Sequence, residues 1–299
     1  MDYIGIMKKS YQISIKNKFL WIFGILAGGY GGFQGWGGSF NSFNSGNTDR
    51  GKIDKIFNSF DFNTFWGNYG GLIITLIGLF VLIGIIFAVL GIISQGALIG
   101  SVAKIDSEEK ANFKIGFRVG WHHFWRVFAL GLVYGLIVFA SLIILIVPIV
   151  IFATTHLVPL AVVWGILVFL ACLFLWVVMG IISPFSLRFL ILKESGIIES
   201  IREAWWLLRH NFGHIIIMYL LLMAVGIAVG IGLVIAIVLV LAILVLIGLG
   251  LWLLSPIPAI IFAIVAGICF MVAIMIFSGA YNTFTSSVIT LTYRDLVKT

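Results

Sequence analysis

The placement of charge constrains this chain more than any other feature. Asp, Glu, Lys and Arg are all missing from residues 62–103, 127–187 and 210–293, windows of 42, 61 and 84 residues. Soluble domains average about a quarter charged residues; here 10% are charged, 62% are hydrophobic, and the mean hydropathy is +1.20. A helix crosses the hydrocarbon of a bilayer in about 20 residues at about 1.5 Å each, so the two longer windows must each fold back at least once. Pro148, Thr154, Thr155, His156 and Pro159 offer one break, and Gly248, Gly250, Ser255, Pro256 and Pro258 the other. Backbone groups in hydrocarbon must be satisfied internally, and unbroken apolar runs lack the alternation of a barrel, so the spans are helices.

Six spans are expected, at 18–35, 71–102, 127–153, 157–185, 214–249 and 256–290. The first is the shortest: its apolar core FLWIFGILA, Phe19 to Ala27, runs straight into GGYGGFQGWGG. A cleaved signal peptide has a similar basic-then-apolar start. The 18 preceding residues contain Tyr3, Ile4, Ile6 and Tyr11 and no small-x-small cleavage site stands out, which favours a retained segment.

With six spans and an inner amino terminus, the inner segments carry Lys8, Lys9, Lys16, Lys18, Lys104, Lys110, Lys114, Arg118, Arg126, Arg188, Lys193, Arg202, Arg209, Arg294 and Lys298, 15 of the 18 basic residues. Cytoplasmic segments are enriched in Lys and Arg, so both termini are expected in the cytoplasm and the protein in the inner or plasma membrane. The outer Arg50, Lys52 and Lys55 are balanced by Asp49, Asp54 and Asp61, which leaves the net charge of +7 on the inner side, facing anionic headgroups. No soluble domain carries a basic stripe, so nucleic acid is not an expected partner. Cys172 and Cys269 lie in apolar spans and form no framework or CxxC pair.

The segment 197-IIESIREAWWLLRHNFGHIII-217 concentrates two tryptophans and six ionisable residues between greasy stretches. Arg202 lies three residues before Trp205 and seven before Arg209, with Asn211-Phe212 opening the next span. In 113-FKIGFRVGWHHFWRVF-128, Arg118 lies three before Trp121. In 4-IGIMKKSYQISIKNKF-19, Lys8 lies three before Tyr11, with Asn17 six beyond. Each following hairpin closes on small polar residues and then a base and an acid: Lys104 and Asp106, Lys193 and Glu194, Arg294 and Asp295. The expected architecture is therefore an all-α polytopic domain built as three repeats of surface helix plus helical hairpin: 1–106, with an outer loop at 36–69, then 107–194 and 195–299. In the loop, a short helix is expected near 52–60.

Periodicity places Ile198, Ile201, Trp205 and Leu208 on one face, opposite Glu199, Glu203 and His210; Phe113, Phe117, Trp121 and Phe124 form the corresponding stripe, with Arg118 and His122 across from it. Helices of this kind lie in the interface with indoles at headgroup depth and basic side chains toward phosphates. Arg118, Trp121, Trp125, Arg126, Arg202, Trp205, Trp206 and Arg209 are the expected membrane-interface residues. The competing reading is a cytoplasmic helix packed on the bundle ends.

Catalytic chemistry finds little support. Zinc needs three or four converging ligands, and neither HExxH nor a comparable spacing occurs around His122-His123 or His210 and His214, so no metal, cofactor or catalytic residue is expected. The spans hold no ionisable group of the kind ion-coupled transport uses, and GxSxG, P-loop and paired intramembrane aspartates are all missing from the sequence. Gly226, Gly230 and Gly232 read as close helix packing.

The run ESIREAWWLLRHNFGHIIIMYLLL, and more loosely GFRVGWHHFWRVFALGL, resembles bacterial multi-span membrane proteins related to the membrane domain of glycerophosphodiester phosphodiesterases. The resemblance covers about 25 residues per copy, with Ala204 where that family often has serine, and the soluble catalytic domain is missing. It implies a multi-span membrane module in a prokaryote and transfers no catalytic residue.

The expected function is a non-enzymatic module that organises membrane lipids, chiefly anionic headgroups, or a protein partner at the cytoplasmic face. A small-solute transporter or permeability factor would instead need a continuous polar path, for which Asn282, Thr283 and Ser286 are the candidate lining. A membrane-embedded lipid enzyme would need His122, His123, His210 and Glu199 to converge.

Overall fold

A computed structural model describes residues 1–35, 62–154 and 158–298, and every regular element among them is a helix. In chain order these are α1 (Tyr3–Lys16), α2 (Phe19–Gly35), α3 (Phe62–Asp106), α4 (Phe113–His122), α5 (Phe124–Thr154), α6 (Val158–Leu192), α7 (Ile197–His210), α8 (Phe212–Leu254) and α9 (Pro256–Lys298). A short helix followed by two further helices thus occurs three times. Five helices, α3, α5, α6, α8 and α9, are long and apolar enough to cross a membrane, and the chain is an all-α polytopic membrane protein. The outer loop and the short helix expected near 52–60 fall largely outside the described residues.

The first expected span is the exception. At 17 residues α2 reaches about 25 Å and is the shortest of the helices that follow a short surface helix or precede a hairpin turn. It is wedged between α3 and α9, with Leu20, Phe23 and Ala27 buried. Glycine makes this possible: a Cβ on Gly24 would lie 2.1 Å from the Gly279 carbonyl oxygen, and one on Gly279 would lie 2.6 Å from that of Trp21. Where two helix backbones approach this closely, polar side chains can bridge them. The Asn282 amide donates to the Gly24 carbonyl at 3.3 Å, and the Thr283 hydroxyl lies 3.0 Å from the Leu20 carbonyl.

The hairpin turns also differ from expectation. Gly248 and Gly250 do not break α8, which continues to Leu254 and turns only at the extended Ser255. Pro148 sits inside α5 without ending it. In an apolar environment the unmade backbone bonds of an early turn cost more than one missing proline donor, so the helix persists until a polar turn residue is reached.

All three hydrophobic clusters lie toward the end of the molecule that carries the charged residues. One gathers Phe185, Phe189, Leu207, Ile215, Met218 and Val288; the second joins Leu20 and Phe23 to Ala97, Val102 and Leu291; the third joins Ile92 and Ile99 to Val127, Tyr134 and Leu190. Toward the opposite end the long helices are largely unburied. The most apolar 18-residue windows of α8 and α9 contain no buried residue at all.

Each short helix rests on a different long one: α4 on α3, α7 on α6, and α1 on α9. The last contact brings the two ends of the chain together and closes the arrangement. One carboxylate secures it. Asp106, at the end of α3, lies 2.5 Å from Lys9 of α1 and 2.6 Å from Arg294 of α9, and Arg294 also donates to the Ala103 carbonyl and the Ser107 hydroxyl.

Candidate membrane-interface site

Each short helix ends at a non-helical residue before the helix that follows. Asn17 (φ −112°, ψ 70°) ends α1, His123 (φ −93°, ψ 3°) ends α4, and Asn211 (φ −117°, ψ 31°) ends α7. Two of them cap with their side chains: the Asn17 amide donates to the Ile13 carbonyl, and His123 Nδ1 lies 3.0 Å from the Val119 carbonyl, four residues back in each case. Counted back from these breaks, a base falls nine residues earlier (Lys8, Lys114, Arg202), a small buried residue seven earlier (Ser10, Gly116, Ala204), and an aromatic ring six earlier (Tyr11, Phe117, Trp205). The breaks therefore set Lys114 and Phe117, one turn before Arg118 and Trp121, level with Lys8 and Tyr11.

The small residues are the packing face. A Cβ on Gly120 would lie 2.1 Å from the Ile93 carbonyl oxygen, and one on Gly116 2.5 Å from the Ser101 hydroxyl, so α4 is pressed onto the backbone of α3. On α7, Ser200, Ala204, Leu207 and Leu208 are buried. Leu208 thus belongs to the bundle, whereas Ile198 and Trp205, expected beside it on one apolar face, point outward. On α4 and α7 one face packs on the bundle and the neighbouring apolar face is left uncovered.

That uncovered face holds the expected interface residues. Trp121 is 63% exposed, Trp125 74%, Trp205 49% and Trp206 59%, and Arg118, Arg126, Arg202 and Arg209 are all exposed beside them. A row of rings extends along α4 from the core outward: Phe23 stacks on Phe113 at 4.8 Å, followed by Phe117, Trp121 and Phe124 at spacings of 6.3 to 6.5 Å. The face of α7 is oriented by its amino-terminal connection, where Glu203 pairs with Lys193 and accepts from the Ser195 hydroxyl, and Glu199 accepts from the Gly196 amide.

The polar candidates of α9 are engaged between helices. Asn282 and Thr283 bind α2 as described, and Ser286 takes the guanidinium of Arg188. Arg188, counted in sequence among the basic residues of the inner segments, lies inside the bundle. It is 3% exposed and held by the Pro184 and Ser286 carbonyls and the Ser286 and Thr290 hydroxyls, at 2.6 to 3.3 Å. The signal was present in the sequence, because apolar residues continue past it to Leu192.

The histidines separate. His210 stacks on Trp206 at 4.1 Å, and His214 stacks on Tyr3 at 6.3 Å. His122 and His123 stay together, rings edge-on at 5.0 Å, and are joined by Glu194, whose carboxylate oxygen lies 3.9 Å from His123 Nε2. The donor atoms of these three lie within 4.8 Å of one another, in a cluster that includes neither His210 nor Glu199.

No curated protein and no solved structure matches the chain. Residues 19–293 match a family of unknown function, DUF7544, and the chain belongs to that family.

Proposed function

We propose that this membrane protein organises lipids or a protein partner at the cytoplasmic face of the membrane, through the arginines and tryptophans of α4, the start of α5 and α7. The observation that carries the reading is the pairing of four half- to three-quarter-exposed indoles with four exposed guanidiniums at the charged end of the bundle. Indoles favour headgroup depth, and each basic residue near an anionic leaflet contributes about 1 kcal/mol. Within the same proposal the three short-long-long units are internal repeats, both termini are cytoplasmic, and the kinship with phosphodiesterase membrane domains extends to architecture alone. The engagement of Asn282, Thr283 and Ser286 between helices supports this reading over a polar conduit.

The test uses the full chain in vesicles of phosphatidylcholine doped with either brominated phosphatidylglycerol or brominated phosphatidylcholine. Tryptophan quenching is expected to be stronger with the anionic brominated lipid, and the excess is expected to vanish in the Arg118→Gln, Arg126→Gln, Arg202→Gln, Arg209→Gln variant. Equal quenching by both lipids in the wild type removes the lipid half of the reading.

A further inference from the structure

We infer that His122, His123 and Glu194 form a binding site for a divalent transition metal of the zinc type, tying the α4–α5 junction to the turn between α6 and α7. The inference stands independently of the lipid reading.

The argument begins with the ring of His123. A carbonyl oxygen can only accept, so the 3.0 Å contact with Val119 fixes the proton on Nδ1. In the neutral ring the lone pair is then on Nε2. That atom is buried without a hydrogen-bond partner, in a residue only 5% exposed. A buried polar atom left unpaired costs about 1–3 kcal/mol, and here it faces a carboxylate oxygen 3.9 Å away. Two acceptors facing each other need a cation between them. Asn17, at the corresponding break, makes the same backbone contact through an amide and presents no second ring nitrogen.

The surroundings suit a metal better than a proton alone. His122 adds a second imidazole beside the first. Glu194 occupies a left-handed backbone conformation, φ 56°, in the turn that carries it, and Arg126 sits 3.5 Å from its backbone carbonyl. Two imidazoles and a carboxylate, with a fourth position open to water, form a donor set that zinc accepts, and a ring nitrogen oriented through a backbone carbonyl is the usual outer support of such a ligand. Ligands at about 2.0–2.2 Å in a tetrahedron lie about 3.3 Å apart. Closing from the observed separations requires side-chain movement only from His122 and Glu194, both exposed.

The experiment uses tag-free full chain in detergent, stripped with chelator and titrated with Co²⁺ and then Zn²⁺. Binding of one ion per chain is expected, with the visible absorption of cobalt in a low-symmetry site and its displacement by zinc. Glu194→Gln and His122→Asn, both at exposed positions, are expected to weaken binding at least ~10-fold, while His210→Asn, outside the cluster, leaves it unchanged. Absence of stoichiometric binding by the wild type overturns the inference. Binding that survives both cluster substitutions, or falls equally with His210→Asn, overturns it as well.

Discussion

Replacing Gly24 by alanine tests the claim that α2 is a packed wedge rather than a lipid-facing span. The new methyl would lie 2.1 Å from the Gly279 carbonyl oxygen and 2.5 Å from the Thr283 hydroxyl, whereas real Cβ atoms essentially never approach within 3.0 Å. The oxygen is backbone and cannot rotate away, so α2 and α9 must separate by about 1 Å. Overpacking of this kind costs about 1–3 kcal/mol. The separation also stretches the Asn282 and Thr283 bonds to α2, at about 0.6 kcal/mol each for polar contacts between membrane helices. Against this, alanine gains about 1 kcal/mol over glycine as a helix former. The net expectation is a loss of about 1–3 kcal/mol.

Gly230 is the internal control, since a Cβ there meets nothing within 4 Å; Gly230→Ala should be neutral or stabilising by up to about 1 kcal/mol. The assay is reversible unfolding of the full chain in mixed micelles of increasing SDS fraction, followed by circular dichroism. Gly24→Ala should unfold at a lower SDS fraction than wild type and Gly230→Ala at an equal or higher one. Coincident midpoints for the two variants would refute the wedge, because only contact with α9 distinguishes them.

Three further outcomes follow from the geometry. Asp106→Asn leaves Lys9 and Arg294 without their shared anion, and with charged hydrogen bonds contributing about 1.5–3 kcal/mol, hydrogen exchange should accelerate in α1 while α5 and α6 stay protected. Arg188→Lys keeps the charge but loses the fork that reaches Pro184, Ser286 and Thr290 together, so it should lower the SDS midpoint by about 1–3 kcal/mol; an unchanged midpoint would show that the fork is not needed. Under the proposed orientation, single cysteines at positions 110 and 198, placed in a chain lacking Cys172 and Cys269, should react with a membrane-impermeant maleimide only after the membrane is opened.

Which features could be read from sequence depended on whether their cause was local. The long helices, and the segments 113–122 and 197–210, follow from periodicity and charge spacing within one stretch of chain. The start of α1 is equally local: Asp2 caps it by accepting from the Gly5 amide. The register of α4 was not legible, because its break is made by His123, a residue with no special standing as a helix terminator, whereas Asn17 and Asn211 are ordinary turn formers. The burial of Arg188 was not read because a basic residue near a span end usually snorkels to the surface; the groups that hold it, Ser286 and Thr290, are about 100 residues away. Glu194 joined no expected cluster for the same reason. Its neighbours in sequence are Lys193 and Ser195, while its neighbour in space, His123, is 71 positions earlier, and only the fold connects them.

The length of α8 bears on how little of it is buried. From Ile215 to Leu254, α8 runs 40 residues without a charge, about 60 Å of apolar helix against about 30 Å of hydrocarbon. An upright hairpin of that length would leave half its apolar surface in water or headgroups, at a cost of about 25 cal/mol per Å². Halving the vertical reach by inclination alone would need about 60°, well beyond the average tilt of about 20° for membrane helices. The contacts that hold the long helices together gather at the charged end, in the three hydrophobic clusters, the Asp106 ion pairs and the Arg188 network. Under the proposed function that end would have two tasks at once, meeting the interface and holding together helices whose apolar length is largely unburied.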